Sequence, residues 1–482
     1  MPVLLSRPRP RLLPALLLLL LAAFPARLQA HARLLRSTPA ANDSLREPPT
    51  AIHLVFSERP ELRFTNVRLL AGDREISLAE PAMAIEGAEA GILVAIRAAL
   101  APGKYRVEWQ TGSADGHPIR GHFSFTVLAA PPAPGAGGAA GDTTVAVPSI
   151  TNPVIAAPSA PLSFPDSSHL AHPDDREGAA IEQPIGFRLA RWIEFMALLA
   201  MAGAVAFGRF VLPAVADDAA LSADAWRRAR GAGLIAAAVL VLAALARLYA
   251  QGIAMHGPGK GLEPVMLTEM VGGTHWGLGW GLGVAGALLV IVALAARRGD
   301  ARNAVALAGA IAACVSPAFT GHAVATEGAL HVPAVLFDVL HVSGAAAWLG
   351  TLCMLAIAGV PAATARPTGE RGLAVARLFR AFHPIGLVAV GLVLVSGIGS
   401  SWIRLGSLAQ LTMSNYGSVL LFKIYMFVLV GLLGAYNWKK ALPRLGDDAG
   451  THRIRRTVAV ELVIGMVVLG LTALLVVTNP PR

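Results

Sequence analysis

The sequence predicts a two-part protein, an all-β Greek-key sandwich or barrel followed by an all-α bundle of eight transmembrane helices. Three observations predict it. Residues 31 to 128 alternate apolar and polar side chains in short runs. Eight later stretches are each apolar over about the 20 residues that cross a bilayer. A Pro-, Ala- and Gly-rich segment lies between the two regions. With 55% hydrophobic and 15% charged residues, the chain as a whole is too apolar for a soluble protein.

The first element is a secretory signal. Arg7, Arg9 and Arg11 lead into the apolar run from Leu12 to Ala23, and Leu28-Gln29-Ala30 places a small residue before a cleavage point. Residues 1–30 therefore read as removed and His31 as the mature N-terminus. A terminal histidine offers a metal two adjacent nitrogens, the α-amine and the imidazole.

Residues 31–128 form the β domain, with strands expected at 52–56, 67–70, 92–96, 105–109 and 122–127 and turns at Gly72-Asp73 and Pro102-Gly103. Only Cys314 and Cys353 are present, both in later apolar runs, so this exported domain folds without disulfides. Residues 129–180 cannot bury enough apolar surface to fold and read as a flexible tether, with His169 and His172 solvated.

Residues 181–482 are the membrane domain, with apolar stretches at 186–211, 232–251, 275–296, 303–319, 334–360, 381–401, 418–438 and 457–477. If the β domain is exported, alternate loops face inward. Those loops hold Arg227, Arg228 and Arg230, then Arg297, Arg298 and Arg302, then Arg366, Arg371, Arg377 and Arg380, and finally Lys439 to Arg456. The outer loops hold only Lys260, Arg404 and Arg482. The net charge of +10 is thus an orientation signal rather than a nucleic-acid footprint.

The same topology sorts the 13 histidines: all but His383 and His452 fall in the exported part, outer loops or outer helix halves. Met255, Met266, Met270 and Met413 join them, and a histidine and methionine set favours copper over magnesium or calcium. In Ser113-Ala114-Asp115-Gly116-His117-Pro118, an extended backbone puts Asp115 and His117 on one side. Together with His31 they supply three nitrogens and a carboxylate, a set suited to tetragonal Cu(II).

At these residues the sequence resembles a known family. His31-Ala32, Ser37-Thr38-Pro39-Ala40, Leu54 to Glu58, Gly103 to Trp109, Ser113 to Pro118 and Gly121 to Phe125 look like the periplasmic copper-binding protein CopC. The resemblance implies an Ig-like or cupredoxin-like β-barrel holding Cu(II) at His31, Asp115 and His117, with Glu58 matching an acidic position near the metal. Met83 is the only methionine of the domain, so the methionine-rich Cu(I) site of some members is not expected.

The membrane region resembles the partner family, copper resistance protein CopD. The matching residues are Thr320-Gly321-His322-Ala323, Asp338 to His341, Ala347-Trp348-Leu349-Gly350, Val395-Ser396-Gly397, Tyr416 to Lys423 and Ala435-Tyr436-Asn437. The resemblance implies copper import across a bacterial inner membrane, with the β domain and the C-terminus outside.

Ionisable side chains inside a bilayer cost about 2.5–3.5 kcal/mol at a helix centre, so each requires a reason. Glu194 lies in the first helix, and Asp338 and His341 share a face of the fifth. With His322 and His331 in the loop above, they outline a copper route. Lys423 is expected to pair with Asp338 or Glu194, and Arg247 to sit at the interface. Cys314 and Cys353 read as core fillers.

The expected activity is therefore non-enzymatic, with no catalytic residue assigned. Cu(II) is captured by the β domain and passed to the bundle as Cu(I) or Cu(II), with a periplasmic copper chaperone or an external reductant as partner. No Walker motif, CxxC or flavin motif is present. Rival readings are sequestration without transport, a copper-dependent oxidative enzyme built on the terminal histidine, and a haem-binding oxidoreductase using His322, His331, His341 or His383.

Overall fold

The computed structural model describes residues 34–56, 59–86, 89–113, 118–129, 185–256, 263–296, 300–326, 328–367, 369–441, 448–476, 478 and 481. Among the described residues nine strands form the N-terminal domain: β1 (Leu34–Thr38), β2 (Ser44–Leu45), β3 (Ala51–Phe56), β4 (Pro60–Ala71), β5 (Arg74–Ile76), β6 (Ala82–Glu86), β7 (Glu89–Ala95), β8 (Gly103–Ser113) and β9 (Pro118–Val127). They make two sheets, ordered β1-β3-β7-β6 and β2-β9-β8-β4-β5. The inward positions of each sheet, among them Ile52, Leu54, Ile92, Val94, Leu69, Val107 and Phe125, interleave as one core. The period-two pattern is the cause: Val107, Trp109, Phe123 and Phe125 point inward while Arg106, Glu108 and Ser124 do not. Four of the five expected strands lie within observed ones, and the fifth, 92–96, overruns β7 by Ile96, which forms an isolated bridge with Leu78. Gly72 turns β4 into β5 with φ of 60°, a backbone that favours glycine.

One end of this sandwich gathers the ends of five strands. Leu34 at the start of β1 pairs with Phe56 at the end of β3, and Pro60 at the start of β4 pairs with Ser113 at the end of β8. Gly112 pairs in turn with Pro118, where β9 begins. The segments carrying His31, Glu58, Asp115 and His117 all leave the strands at this end. Those four residues themselves lie outside the described residues, as do His169 and His172.

Among the described residues, eight helices of the second region are long and apolar enough to cross a membrane. They are α1 (Ile185–Ala206), α2 (Ala219–His256), α3 (His275–Ala295), α4 (Asp300–Phe319), α5 (His331–Ala345), α6 (Arg371–Leu405), α7 (Asn415–Tyr436) and α8 (Asp448–Val476). α5 runs on through two π-helical turns, Ala346–Gly350 and Leu355–Gly359, to Thr364. Many basic residues assigned to loops by hydropathy instead extend the helices: Arg227, Arg228 and Arg230 are on α2, and Arg371, Arg377 and Arg380 are on α6. Acidic partners hold that end together, with Arg366 bound to Asp218 at 2.6 Å and Arg377 bound to Asp217.

Closest approach of backbones occurs where α1 meets the first π-helical turn. A Cβ on Gly203 would collide with the Gly350 carbonyl carbon, and one on Gly350 with the Leu199 carbonyl oxygen. Neither neighbour can yield, since both are backbone. Gly203→Ala is expected to destabilise the bundle by at least the ~1–3 kcal/mol typical of overpacking, read as a lower unfolding temperature in detergent. Gly231→Ala, where nothing lies within 4 Å of the added atom, should leave that temperature unchanged.

The β domain sits on the bundle through a bulge in β4. Its pairing with β8 shifts between Glu61 and Asn66. Phe64, on this bulge, is buried with Met270 of the short helix Pro264–Gly273 and with Trp276 at the start of α3. The bulge follows directly on Pro60, so the sandwich end described above is the one turned toward the bundle.

Candidate functional site

α5 carries His331 at its first turn, Asp338 about 10 Å further along and His341 about 15 Å along, from a rise of 1.5 Å per residue. The three stand near one face of the helix. Opposite them α6 presents Ser396, Ser400 and Arg404, four residues apart. Antiparallel packing matches the two rows. The His341 Nδ1 lies 3.2 Å from the Ser396 hydroxyl. Ser400 donates to Asp338 at 3.3 Å, and the Arg404 Nη2 reaches both Asp338 carboxylate oxygens at 2.7 Å. Arg404 also donates to the buried Tyr416 at the start of α7. Gly397 leaves room for the imidazole, because a Cβ there would stand 3.2 Å from His341 Cε1.

The hydrogen bonds set which nitrogen of each ring carries the lone pair. The Ser396 hydroxyl donates to the Leu392 carbonyl at 2.5 Å, so it has only lone pairs to offer His341. His341 Nδ1–H must therefore donate, and the Nε2 lone pair is left for another ligand. His331 Nδ1 donates to the Thr326 carbonyl at 2.9 Å, which leaves its lone pair on Nε2. His322 Nε2 donates to the Thr478 carbonyl at 3.1 Å, which puts the lone pair on Nδ1. Anchoring one ring nitrogen on a protein oxygen is how metal-binding histidines are usually oriented.

Glu194 belongs to a different cluster. It is buried in α1, with Arg247 of α2 at 3.2 Å from Oε1 and Arg191 at 3.7 Å from Oε2. Both guanidiniums are buried, at 3% and 2% exposure, so Arg247 is not interfacial as expected from its position near the helix end. Arg191 donates to the Thr320 carbonyl at 3.2 Å, and Arg247 lies over the Trp276 ring at 5.3 Å. A cavity of about 10 Å³, room for one water, opens between Glu194, Arg247, Trp280 and Ser316.

The two carboxylates are thus separately neutralised, and neither uses the partner that their sequence positions suggested. Lys423 faces Asp338, His341 and Arg404 from α7 within electrostatic range, but Arg404 takes the Asp338 ion pair. Arginine wins because its planar fork satisfies both carboxylate oxygens at once, which an ammonium cannot do. Arg404, placed in a loop by hydropathy, ends α6. Cys314 is buried in the core.

Among the described residues no three of His, Cys, Asp and Glu meet at one point. The arrangement is instead a row. Thr320 touches the Glu194 cluster, His322 follows in the same loop, and His331, Asp338 and His341 descend α5. Sequence reasoning overlooked Ser396, Ser400, Arg404 and Arg191. The four-residue spacing of the first three, opposite a helix bearing Asp and His, was the available signal.

Comparison with known proteins places this geometry. Residues 34–128 match the family model for the CopC domain, 181–332 that for the copper resistance protein D-like N-terminal domain, and 376–475 that for copper resistance protein D. Copper resistance protein C of Escherichia coli is 38% identical over 104 residues, 20% of this chain and 82% of that protein. The chain belongs to the CopC family through its N-terminal domain, and its membrane region matches the copper resistance protein D models. Copper transport protein CutJ of Bacillus subtilis (strain 168) is 27% identical over 462 residues, 94% of this chain and 75% of CutJ. The crystal structure of PcoC, a methionine-rich copper resistance protein from Escherichia coli, has 30% identity and a TM-score of 0.18, covering 20% of this chain and 99% of PcoC. In this CopC–CopD chain, the quoted Val395-Ser396-Gly397 motif has a physical role: Ser396 orients His341 and Gly397 makes space for it.

Proposed function

We propose that this protein captures copper outside the cell membrane and carries it inward through the helical bundle. The β domain binds Cu(II) through the amine and imidazole of His31, with Asp115 and His117 as further ligands and Glu58 beside them. Copper then passes to His322 and His331 and down α5 to His341. The observation that carries this reading is the row of three histidines, each with one ring nitrogen tied to a protein oxygen. Membership of the CopC family, the match to the copper resistance protein D models and the likeness to CutJ, a copper transport protein, support it. Docking at Phe64 supports a direct hand-off, because it holds the capture end of the β domain at the mouth of the bundle and raises the local copper concentration there.

The bundle end that carries the β domain faces outward, and the end rich in arginine and lysine faces inward. An inside-negative potential then favours inward movement by about 2.3 kcal/mol per charge per 100 mV. Asp338 and Glu194 act as fixed counter-charges to their arginines. A periplasmic chaperone or reductant supplies or reduces the ion before it reaches His341.

Uptake of isotopic copper into proteoliposomes tests the reading. His341→Ala is expected to reduce uptake at every copper concentration. Ser396→Ala, which frees the ring without removing it, should weaken copper binding by about 10- to 100-fold. His117→Ala is expected to reduce uptake only when copper is scarce. Unchanged accumulation in both histidine variants would remove the importer reading.

A further inference from the structure

Among the described intramembrane carboxylates, Glu461 differs from the others in having no cation. Glu194 has two arginines, Asp338 has one, and Asp224 holds Arg227 at 2.5 Å and Arg228 at 3.0 Å. Glu461 is 4% exposed and its hydrogen-bond partner is an amide, Asn437, whose Nδ2 donates to Oε1 at 2.6 Å. Asn437 is itself buried, its Oδ1 has no partner, and it opens the π-helical turn Asn437–Ala441 that ends α7. Such turns inside helices often mark functional positions. The pair lies about 21 Å along α7 from Lys423, at the end opposite the β domain.

Helices α7, α1, α6 and α5 pack against α8. The titratable and charged groups they bring toward this end are Tyr436, Lys439 and Lys440 from α7 and its π-turn, Arg209 beyond α1, Arg380 and His383 from α6, and Cys353 from α5. α8 itself adds His452, Arg453, Arg455 and Arg456. Lys439 and Lys440 are exposed, and His383 is stacked on Trp438 at 4.9 Å. Among the described residues none of these groups hydrogen-bonds or ion-pairs with Glu461, whose side-chain partner is Asn437. An ionised carboxylate buried without a cation is costly, whereas the neutral acid needs only the amide.

We propose that Glu461 is a proton-binding site at the inner end of the bundle, and that its occupancy controls copper passage. Its link to copper rests on the transport reading above. With the proton bound, α7 and α8 stay packed at the π-turn. On release the carboxyl O–H bond breaks, the proton leaves to water on the Lys439 and Lys440 side, and the remaining carboxylate draws water or a cation into the seam. No electron is transferred.

Two measurements on the full-length protein in liposomes test this. In infrared difference spectra across a pH step, the wild type is expected to show a protonated-carboxyl band that Glu461→Gln loses. In copper flux, Glu461→Gln is expected to lose the wild type's dependence on internal pH while retaining flux. Persistence of the band in the variant, or a wild-type pH profile in it, overturns the proposal. Wild-type protein that shows the band yet moves no copper at any pH would overturn the transport reading and leave the proton site standing.

Discussion

Glu194→Ala is expected to destabilise the bundle by about 3–5 kcal/mol, the cost of leaving a buried ion cluster without one partner. The carboxylate lies between Arg191 and Arg247, at 3% and 2% exposure, and pairs with both. Removing it leaves two guanidiniums confined in an apolar bundle, with the small cavity beside them able to admit one water at most. Thermal unfolding of the purified protein in detergent reads the effect. Glu194→Gln retains shape and hydrogen bonding but not charge, and should fall between alanine and wild type. A loss below about 1 kcal/mol would mean that the two arginines are solvated and that Glu194 does not organise them.

Arg404→Ala carries the second large expected effect, again about 3–5 kcal/mol. It strips Asp338 of both 2.7 Å contacts and leaves only Ser400 at 3.3 Å. Arg404→Lys should rescue little, since one ammonium cannot reproduce the paired fork. The double variant Asp338→Asn with Arg404→Gln removes both charges and should recover much of the loss. A double-mutant cycle then measures the coupling directly, and a coupling energy near zero would refute the pairing. The same variants bear on transport: if Asp338 is a fixed counter-charge rather than a copper ligand, the neutral pair should retain uptake that His341→Ala loses.

Much of the fold was legible because its signals are local. The alternation in 105–109 and 122–127 requires one buried face, and the apolar runs require a bilayer-length helix whatever their neighbours. The positions of His322, His331, Asp338 and His341 were legible for the same reason, as polar residues in segments that otherwise exclude them. Charge pairing was not. Glu194 and Asp338 look equivalent in sequence, each an acid within an apolar helix. Arg191 lies three residues before Glu194, but Arg247 and Arg404 come from 53 and 66 positions away, and no local pattern encodes those distances. Glu461 went unremarked because it sits near the basic loop at the start of α8, where an acid looks solvated.

The sequence by itself determined the two-part architecture, the count of spanning helices, the family resemblance and the candidate copper-binding residues. These follow from hydrophobic periodicity and side-chain chemistry, which are properties of each segment alone. Only the tertiary structure decided which acids are neutralised by arginine, which ring nitrogens keep a lone pair, that Phe64 seats the β domain on the bundle and that Glu461 lacks a cation. Each of those depends on groups meeting across helices or domains, where the cost of burying an unpaired charge or an unsatisfied donor selects the partner.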